Sequence, residues 1–304
     1  MSFLRITDDR GVELKWHAPP SRVVSLVPSD TYSLLRLGAG ARLIGRTRYC
    51  VAPEAEVSAI EIVGGTKDAD VERIAALAPD LIVANQEENS RQDILRLEAL
   101  GLRVLVSFPK SVAAGIAHLA RLARALGYAR GEEPAHSVVA HAYHTLRAAE
   151  ATLQAATAQP PVRVFVPIWM DPLMTIHAST FISDVLALVG AHNVFADRER
   201  RYPLAADLGA AAPLPADRVG DRDVRYPRIT LAEVAARAPE VILLPDEPHP
   251  FTEADAAIFR ALDMGSPRQP AVLFCDGKDL MWYGARSVEG LDRLRALVDD
   301  GGAC

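Results

Sequence analysis

The chain carries the same pattern of segments twice, and this repeat restricts its fold more than any other feature. Residues 71–89 read VERIAALAPDLIVANQEEN, and residues 231–250 read LAEVAARAPEVILLPDEPHP. Each copy has a helical stretch, an Ala-Pro-acid sequence, an apolar strand and an acidic loop. An earlier pair, residues 22–40 and 163–191, shares its own order of strand and helix. Two repeated segments in the same order indicate a duplicated α/β lobe.

Strands that alternate with short helices predict parallel βαβ units in both halves of the chain. The expected fold class is α/β, with two related Rossmann-like lobes that have parallel sheets and are joined by one long α-helix. The pattern predicts an N-terminal lobe at 1–127, the connecting helix at 128–160 and a C-terminal lobe at 161–304. A β-hairpin at 3–16 is expected to lead the first lobe.

Composition and charge argue against several classes of protein. The chain has 304 residues, a net charge of −6 and a pI of about 5.8, which speaks against nucleic-acid binding. Cys50, Cys275 and Cys304 are too scattered for a disulfide scaffold, and Cys304 is expected to be an exposed thiol. No apolar run reaches the ~18 residues of a membrane span, so we expect a protein that is not membrane-embedded, and a monomer. The N-terminus shows no signal peptide, which predicts a cytoplasmic location as written, or a periplasmic or extracytoplasmic one if a leader was trimmed.

We expect a ligand at the carboxyl ends of the predicted strands, because loops and helix N-termini converge there in parallel sheets. Two such lobes are expected to form a ligand cleft lined by these loops. The first strand is expected at 22–28, with Ser29 or Asp30 as the N-cap of the next helix. The expected ligand contacts are side chains at strand ends and in one late loop: Pro28, Ser29, Tyr49, Lys67, Asn85, Glu87, Glu88, Trp169, Trp282, Tyr283 and Arg286.

Some of these side chains have two interpretations. Glu87 and Glu88 precede a predicted helix, where carboxylates stabilise the free N–H groups of the first turn, and they also fit a role as ligand contacts. Trp169 follows a strand, but it lies between a proline and an aspartate and is expected to be exposed. Trp282 and Tyr283 lie in a loop with glycine nearby, a poor setting for core side chains, so we expect them to form an aromatic platform in the cleft.

The sequence contains no catalytic pattern. It has no nucleophile elbow, no HExxH motif and no Ser-His-Asp order, so we expect a protein without enzymatic activity. His141 and His144 have a spacing that can hold a metal, but no third ligand lies near them in the sequence. They are therefore expected to be solvated side chains on a helix. We expect no metal site and no required cofactor.

Several stretches between residues 20 and 290 follow the order found in one protein family. They include STFISDVLALVGAHNVFAD, RYPRITLAEVAARAPEVILL and DGKDLMWYGAR. In this order the chain resembles the class III substrate-binding proteins of ABC importers, the helical-backbone metal receptor group, and is most similar to the cobalamin-binding branch. The resemblance implies a small ligand in the cleft and an ABC permease as partner. It also implies that Glu72 and Glu233 dock onto permease arginines, and it adds Tyr226 to the ligand contacts.

Two positions depart from the cobalamin-binding branch. Where members of that branch carry tryptophans, this chain has Gly65 and Asn85, with Glu87 and Glu88 just beyond. These replacements make the expected cleft more acidic and less aromatic. A cationic, amide-rich or hydroxyl-rich ligand, or a metal complex, fits such a cleft.

The resemblance implies a non-enzymatic protein that binds a corrinoid or another metal chelate as a component of ABC import. The alternative is a cytoplasmic metal-binding protein or enzyme on the same scaffold. It would use carboxylates and a histidine from both halves, namely Glu87, Glu88, Asp246, Glu247 and His249. A third possibility is a docking protein whose cleft no longer binds a ligand.

Overall fold

A computed structural model describes residues 4–128, 131–155, 160–265 and 269–303. The chain divides into two compact units. The first unit consists of Met1–Leu146 and Trp282–Val288, and the second consists of Arg147–Met281 and Glu289–Cys304. A short C-terminal segment thus belongs to the first unit, although the chain on both sides of it belongs to the second.

The first unit begins with the predicted hairpin, whose strands are antiparallel with Leu4 opposite Trp16. Its strands and helices are β1 (Leu4–Thr7), β2 (Glu13–Trp16), β3 (Val23–Ser25), α1 (Pro28–Arg36), β4 (Leu43–Arg46), α2 (Glu54–Val57), α3 (Val71–Ala76), β5 (Leu81–Asn85), α4 (Arg91–Ala99), β6 (Val104–Ser107) and α5 (Val112–Ala125). A 3₁₀ turn, Gly40–Arg42, precedes β4.

Two helices have residues in both units, and the remaining elements belong to the second unit. The helix α6 (Ala135–Ala155) comes next in the chain. The second unit then has β7 (Val162–Phe165), β8 (Trp169–Met170), β9 (Leu173–Met174), α7 (Phe181–Leu188), β10 (Ala191–Asn193), α8 (Leu204–Asp207), α9 (Ala216–Val219), α10 (Leu231–Arg237), β11 (Val241–Pro245), α11 (Glu253–Arg260), β12 (Ala271–Cys275) and α12 (Gly277–Met281). The chain ends in α13 (Ala285–Ala303).

The two units share one sheet topology, which confirms the duplication seen in the sequence. The first unit has a four-stranded parallel sheet in the order β4-β3-β5-β6, and the second has the order β10-β7-β11-β12. In each sheet the strand that comes first in the chain, β3 or β7, lies second in the order, and the next strand of that sheet, β4 or β10, forms the edge. The predicted α/β fold class with two related lobes is therefore confirmed.

Each unit packs its own apolar core around its sheet. The strands read as unbroken apolar runs because helices cover both faces of a parallel sheet. The core of the first unit includes Val24, Ile74, Ile82, Leu97 and Val106. The core of the second unit includes Phe165, Phe195, Val234, Leu244 and Phe259.

The repeated Ala-Pro-acid sequence marks the end of a helix in both units. Ala78 follows α3 with a φ of 45°, and Ala238 follows α10 with a φ of 42°. Each alanine adopts the left-handed conformation that ends a helix, a position usually taken by glycine. The proline that follows cannot continue the helix, so the chain turns into the next strand.

The acid of the same sequence holds the start of β3 in the first unit and of β7 in the second. The carboxylate of Asp80 accepts hydrogen bonds from the backbone N–H and hydroxyl of Ser21 and from the N–H of Arg22, at 2.9, 2.9 and 3.0 Å. Glu240 accepts the N–H of Arg163 at 2.9 Å. The repeated sequence therefore ends a helix and holds the start of a strand in place, and it does so in both units.

The start of α1 differs from the prediction. The strand β3 is shorter than the expected 22–28, and α1 begins at Pro28 with Val27 as its N-cap. Ser29 and Asp30 lie inside the first helical turn, so neither is the N-cap. Proline favours this first position because it has no N–H to satisfy and its φ already suits a helix.

The helix α6 lies within the predicted connecting segment. Its 21 residues give a length of about 32 Å. Residues 129, 130 and 156–159 of the predicted segment lie outside the described residues, as does Cys304, and the domain boundaries at 127 and 160 stay predictions. No helix in the described ranges combines the length and the apolar character that crossing a membrane requires. Cys50 and Cys275 are buried free thiols.

Candidate functional site

The sheet of the first unit reverses its strand order between β3 and β5. Ligands of open α/β sheets bind beyond the strand ends at such a reversal. Here the loop after β3 and the turn after β5 meet through Asn89, whose side-chain amide donates to the carbonyls of Leu26 and Thr66, each at 3.0 Å. The Oδ1 atom of Asn89 accepts the N–H of Asn85 at 2.7 Å. One side chain therefore holds three segments together at the strand ends.

Residues 86–89, which we call the acidic turn, are shaped by Asn85. The buried Asn85 side chain accepts the backbone N–H groups of Glu87 and Glu88 through Oδ1, at 2.7 and 3.1 Å. The next helix is capped by Ser90, which accepts the N–H of Asp93. The N-cap residue of that helix is therefore Ser90, and the two interpretations of Glu87 and Glu88 stay predictions.

Both glutamate side chains of the acidic turn are half-buried. The ammonium group of Lys67 donates to the carbonyl of Glu87 at 2.8 Å, which fastens the turn from a third loop. The predicted contacts Asn85, Glu87, Glu88 and Lys67 thus lie together at one end of the sheet. Their role in ligand binding stays a prediction.

A buried polar network supports this end of the sheet from below. The Tyr283 hydroxyl donates to Oδ2 of Asp30 at 3.0 Å, and it lies 2.9 Å from the Ser107 hydroxyl. The side-chain amide of Asn85 donates to the same hydroxyl at 3.2 Å. His118 Nε2 lies 3.0 Å from the other oxygen of Asp30. The network therefore connects the acidic turn, through Asn85, to the first and fifth helices.

Burial sets the ionisation of Tyr283. It raises the pKa of Tyr283 well above its usual value, and the negative charges of Asp30 and Glu88 raise that pKa further. The hydroxyl therefore keeps its proton at neutral pH and remains a donor to Asp30. Ser107 and Ser29 act in the opposite direction on the same pKa.

The expectation that Trp282 and Tyr283 are not core side chains is wrong. Both side chains are about 5% exposed or less, and Trp282 packs its ring against Tyr32 at a centroid distance of 6.2 Å. Gly284 allows this burial because its φ is 84° and a side chain there would collide with Ser33. Any contact that these two residues make with a ligand stays a prediction.

The other predicted contacts of the first unit lie in different surroundings. Tyr49 is 52% exposed just after β4, with the Arg48 guanidinium 5.4 Å from its ring centroid. Pro28 and Ser29 are buried at the start of α1. The guanidinium of Arg286 lies 5.9 Å from the centroid of Tyr32.

The second unit has its own reversal of strand order, between β7 and β11. Trp169 lies after β7 and is 43% exposed, which confirms the predicted exposure. Its indole N–H donates to the carbonyl of Asp171 at 3.0 Å. Its ring meets the edge of His249, whose ring in turn meets Phe251, at centroid distances of 5.5 and 4.6 Å. An aromatic cluster therefore lies where the first unit has the acidic turn.

Asp246, which follows β11, is engaged by the first two residues of α12. Asp246 accepts the N–H of Gly277 at 2.7 Å, and the ammonium group of Lys278 lies 3.6 Å from its other oxygen. Across residues 4–128, 131–155, 160–265 and 269–303, no three histidine, cysteine or acidic side chains group closely enough to hold a metal.

The model of the family described as "Periplasmic binding protein" matches residues 23–247. The match runs from β3 to just beyond β11, and so includes most of both sheets. The chain belongs to the periplasmic binding protein family. This membership confirms the predicted resemblance and gives no support to a cytoplasmic location.

A relative of similar sequence agrees with this family. The vitamin B12-binding protein of Yersinia pestis (strain Pestoides F) is 33% identical over 185 residues, which cover 60% of this chain and 62% of that protein. The match thus spans less than two thirds of the length of that relative.

Solved structures of the family share the fold of this chain. The periplasmic vitamin B12 binding protein BtuF of Vibrio cholerae has a TM-score of 0.70 at 20% identity, covering 93% of this chain and 98% of that chain. The periplasmic haem-binding protein RhuT of Roseiflexus sp. RS-1 has a TM-score of 0.71 at 18% identity, covering 93% and 99%. At these identities the likeness shows the fold alone.

The two glutamates predicted to dock a permease lie in different surroundings in this family member. Glu72 is 80% exposed in the first turn of α3 and pairs with Arg96 at 2.9 Å. Glu233 forms a capping box with Thr230 and accepts the Nε–H of Arg198 at 3.2 Å. Their docking role stays a prediction.

The family member also has a pocket that the sequence did not predict. It lies in the second unit and has a volume of about 520 Å³, and all its lining residues except His177 come after β10 in the chain. Its lining includes His177, Arg198, Arg200, Arg201, Tyr202 and Val224. The arginine-rich run RERRYP, residues 198–203, is the sequence signal from which it could have been found. The predicted contact Tyr226 lies close by in the chain, half-buried beneath the guanidinium of Arg225.

Proposed function

We propose that this chain is a non-enzymatic binding protein that captures a corrinoid or another metal chelate for ABC import. The observation that carries the proposal is that both units of this periplasmic binding protein have side chains suited to a ligand at the ends of their parallel strands. Each unit has an open parallel sheet of the same order, and each presents polar or aromatic side chains where that order reverses. Such strand-end loops are where this type of sheet binds small molecules.

The strand-end side chains suit a flat ligand with polar edges. The exposed ring of Trp169, held in place through its N–H and through His249, offers an aromatic face to a macrocycle. The acidic turn offers two carboxylates and the side chain of Gln86 to amide or cationic groups of the ligand. Relatives whose names state vitamin B12 or haem as the ligand support this choice.

The proposal extends to the location and the partner of the protein. The family supports a periplasmic or other extracytoplasmic location and an ABC permease as the partner. Glu72 and Glu233 are proposed to meet basic residues of that permease. The protein is proposed to need no resident cofactor, because the chelate itself is the cargo.

Fluorescence of the three tryptophans tests the corrinoid version of the proposal. Titration of the full chain with cyanocobalamin is expected to quench the emission until the site is saturated. The Trp169→Phe variant is expected to lose most of this change, because Trp169 has the exposed ring. The matched control is Trp16→Phe, which alters a buried indole in β2 that donates to the carbonyl of Asp80. A flat response of the parent chain at high micromolar cyanocobalamin would contradict the corrinoid version, and a parallel titration with hemin tests the other chelate class.

A further inference from the structure

The arginine-lined pocket of the second unit is organised by one buried carboxylate. Asp207 accepts Nη1 of Arg198 at 3.0 Å and the backbone N–H groups of Arg201 and Arg228 at 2.7 and 2.9 Å. These bonds fold the segment after β10 around Asp207, and they use most of the acceptor capacity of the carboxylate. Asp207 therefore positions this arginine-rich segment, but it does not accept a hydrogen bond from the guanidinium group of every arginine in it.

Arg200 is the arginine that Asp207 leaves least satisfied. Its Nε atom lies 3.9 Å from Oδ2 of Asp207, which is an ion-pair distance but is beyond hydrogen-bond distance. This Nε is buried, and it has no hydrogen-bond partner among the residues that the structure describes. A buried donor without an acceptor costs free energy that a bound anion would recover.

An aromatic ring holds the arginine in position. The guanidinium groups of Arg200 and Arg222 each lie 5.5 Å from the centroid of Tyr202. The Tyr202 hydroxyl donates to the carbonyl of Asp223 at 2.8 Å, so the ring itself is fixed. Guanidinium groups that stack on a ring keep a planar set of donors for a carboxylate or phosphate.

The lining has two acidic residues, and Arg200 forms its ion pair with Asp207, which lies outside the lining. Asp197 pairs with Arg237, and Glu199 is exposed. The positive members of the lining are Arg198, Arg200 and Arg201, in a chain whose net charge is negative.

We propose that this pocket binds an oxyanion of the ligand, either a phosphate or a carboxylate group, with Arg200 as the main donor. The inference rests on the proposed function, because it assigns a chemical class to part of the cargo. Two chelates supply this chemistry from different groups: cobalamin has a phosphodiester, and haem has carboxylates. Cobinamide and haem dimethyl ester are the corresponding chelates without the anion.

The first experiment tests the pocket without any chelate. The Nε–Hε resonance of Arg200 in the full chain is followed by NMR as inorganic phosphate is added. We expect a saturable shift of this resonance, assigned by its absence in Arg200→Gln. The matched control is Arg222→Gln, which removes a guanidinium from the same ring, although Arg222 does not line the pocket.

The second experiment measures the affinities for cobalamin against cobinamide and for haem against its dimethyl ester. We expect the anion-bearing member of one pair to bind about 10- to 100-fold more tightly, since hydrogen bonds to charged groups contribute this much. Arg200→Gln should remove that preference, while Arg222→Gln should change it by less than about threefold. The pair that shows the preference identifies the source of the oxyanion. Thermal melts check that both variants remain folded.

The outcomes separate this inference from the proposed function. Chelates that bind equally well with and without the anion, together with no response of Arg200 to phosphate, would overturn the pocket assignment and leave the proposed function standing. A phosphate response in a chain that binds none of the four chelates would support the oxyanion site and contradict the chelate proposal.

Discussion

At the scale of single residues, the side chains that shape the candidate site are mainly ones that a ligand cannot reach. The side-chain oxygen of Asn85 accepts a hydrogen bond from the acidic turn, and its amide group donates to Ser107 and Tyr283. Asp30 is fully buried, and its two oxygens face His118 and Tyr283. The geometry of the acidic turn therefore depends on a buried network beneath it.

Replacing Tyr283 tests this dependence. We expect Tyr283→Phe to lower the free energy of unfolding by about 1–3 kcal/mol, because the buried carboxylate of Asp30 loses a donor. Chemical denaturation followed by circular dichroism measures the change. The control, Tyr49→Phe, alters an exposed ring and should stay within about 0.5 kcal/mol of the parent. Equal stability of the parent and Tyr283→Phe would show that the network does not support the fold.

Local sequence patterns could predict some of these residues and not others. The exposure of Trp169 was predictable because a proline and an aspartate surround it in the chain. The burial of Tyr283 was not, since its partner Asp30 lies 253 positions away. Arg200 was missed for a similar reason, because His177 and Val224, which line its pocket, come from separate segments.

At the scale of elements, the Ala-Pro-acid sequence explains why the fold was predictable. Its alanine ends a helix, its proline prevents the helix from continuing, and its acid binds the start of the neighbouring strand. Each of these three roles concerns a helix end or a strand start, so the sequence alone predicts where these helices end and the strands begin. The start of α1 was harder to predict, because in the sequence Pro28 fits both the first position of a helix and the end of a strand.

The two left-handed alanines allow a direct test. We expect Ala78→Gly and Ala238→Gly each to raise the free energy of unfolding by up to about 1 kcal/mol, because glycine adopts a positive φ without steric cost. The control, Ala75→Gly, lies inside α3 and should lower that free energy by about 1 kcal/mol. Thermal denaturation of the three variants measures both signs. A loss of stability in Ala78→Gly equal to that in Ala75→Gly would contradict the left-handed conformation.

The acid of the repeat makes a prediction about pH. Partial burial acts to raise the pKa of Asp80, but the hydrogen bonds from Ser21 and Arg22 outweigh it, and the pKa lies below its usual value. The stabilisation is therefore present above the unfolded-state pKa of about 3.9 and is lost as the pH falls through the lower folded-state pKa.

Asp80→Asn is expected to reduce the free energy of unfolding near pH 7 by less than about 1 kcal/mol, since Asp80 is only partly buried. The difference from the parent should shrink as the pH falls below about 4. Denaturation across this pH range measures it. Asp292→Asn, at a side chain that is 90% exposed, is the control and should show no such trend. A difference that stays constant with pH would mean that the Asp80 carboxylate does not stabilise the strand start.

At the scale of the whole molecule, a duplicated fold carries different chemistry in its two copies. The first unit has the acidic turn and a buried tyrosine network at its strand ends, and the second has an aromatic cluster and an arginine-lined pocket. The sheets kept the same strand order while the loops after them diverged. Duplication therefore explains the fold, and the loops explain the proposed ligand.

The docking glutamates show the same divergence and call for different test variants. We expect Glu72→Ala to cost at most about 0.5 kcal/mol of unfolding free energy, because its ion pair is exposed. Glu233→Ala should cost about 1–2 kcal/mol, because it removes half of a capping box and a partner of the buried Arg198. Glu233→Gln retains the capping geometry and removes the charge, so it is the suitable control for permease binding. Equal losses in the two alanine variants would contradict the capping role of Glu233.

The return of Trp282–Val288 to the first unit has a consequence for how the protein is made. Asp30 is translated 253 positions before Tyr283, whose hydroxyl completes the network, and His118 also precedes Tyr283 in the chain. Domains made first usually fold during synthesis. We expect the first unit to lack this hydroxyl until most of the second unit has been translated, and fragments that stop before Trp282 to lack it altogether. Completion of the first unit thus depends on a segment that follows most of the second unit in the chain.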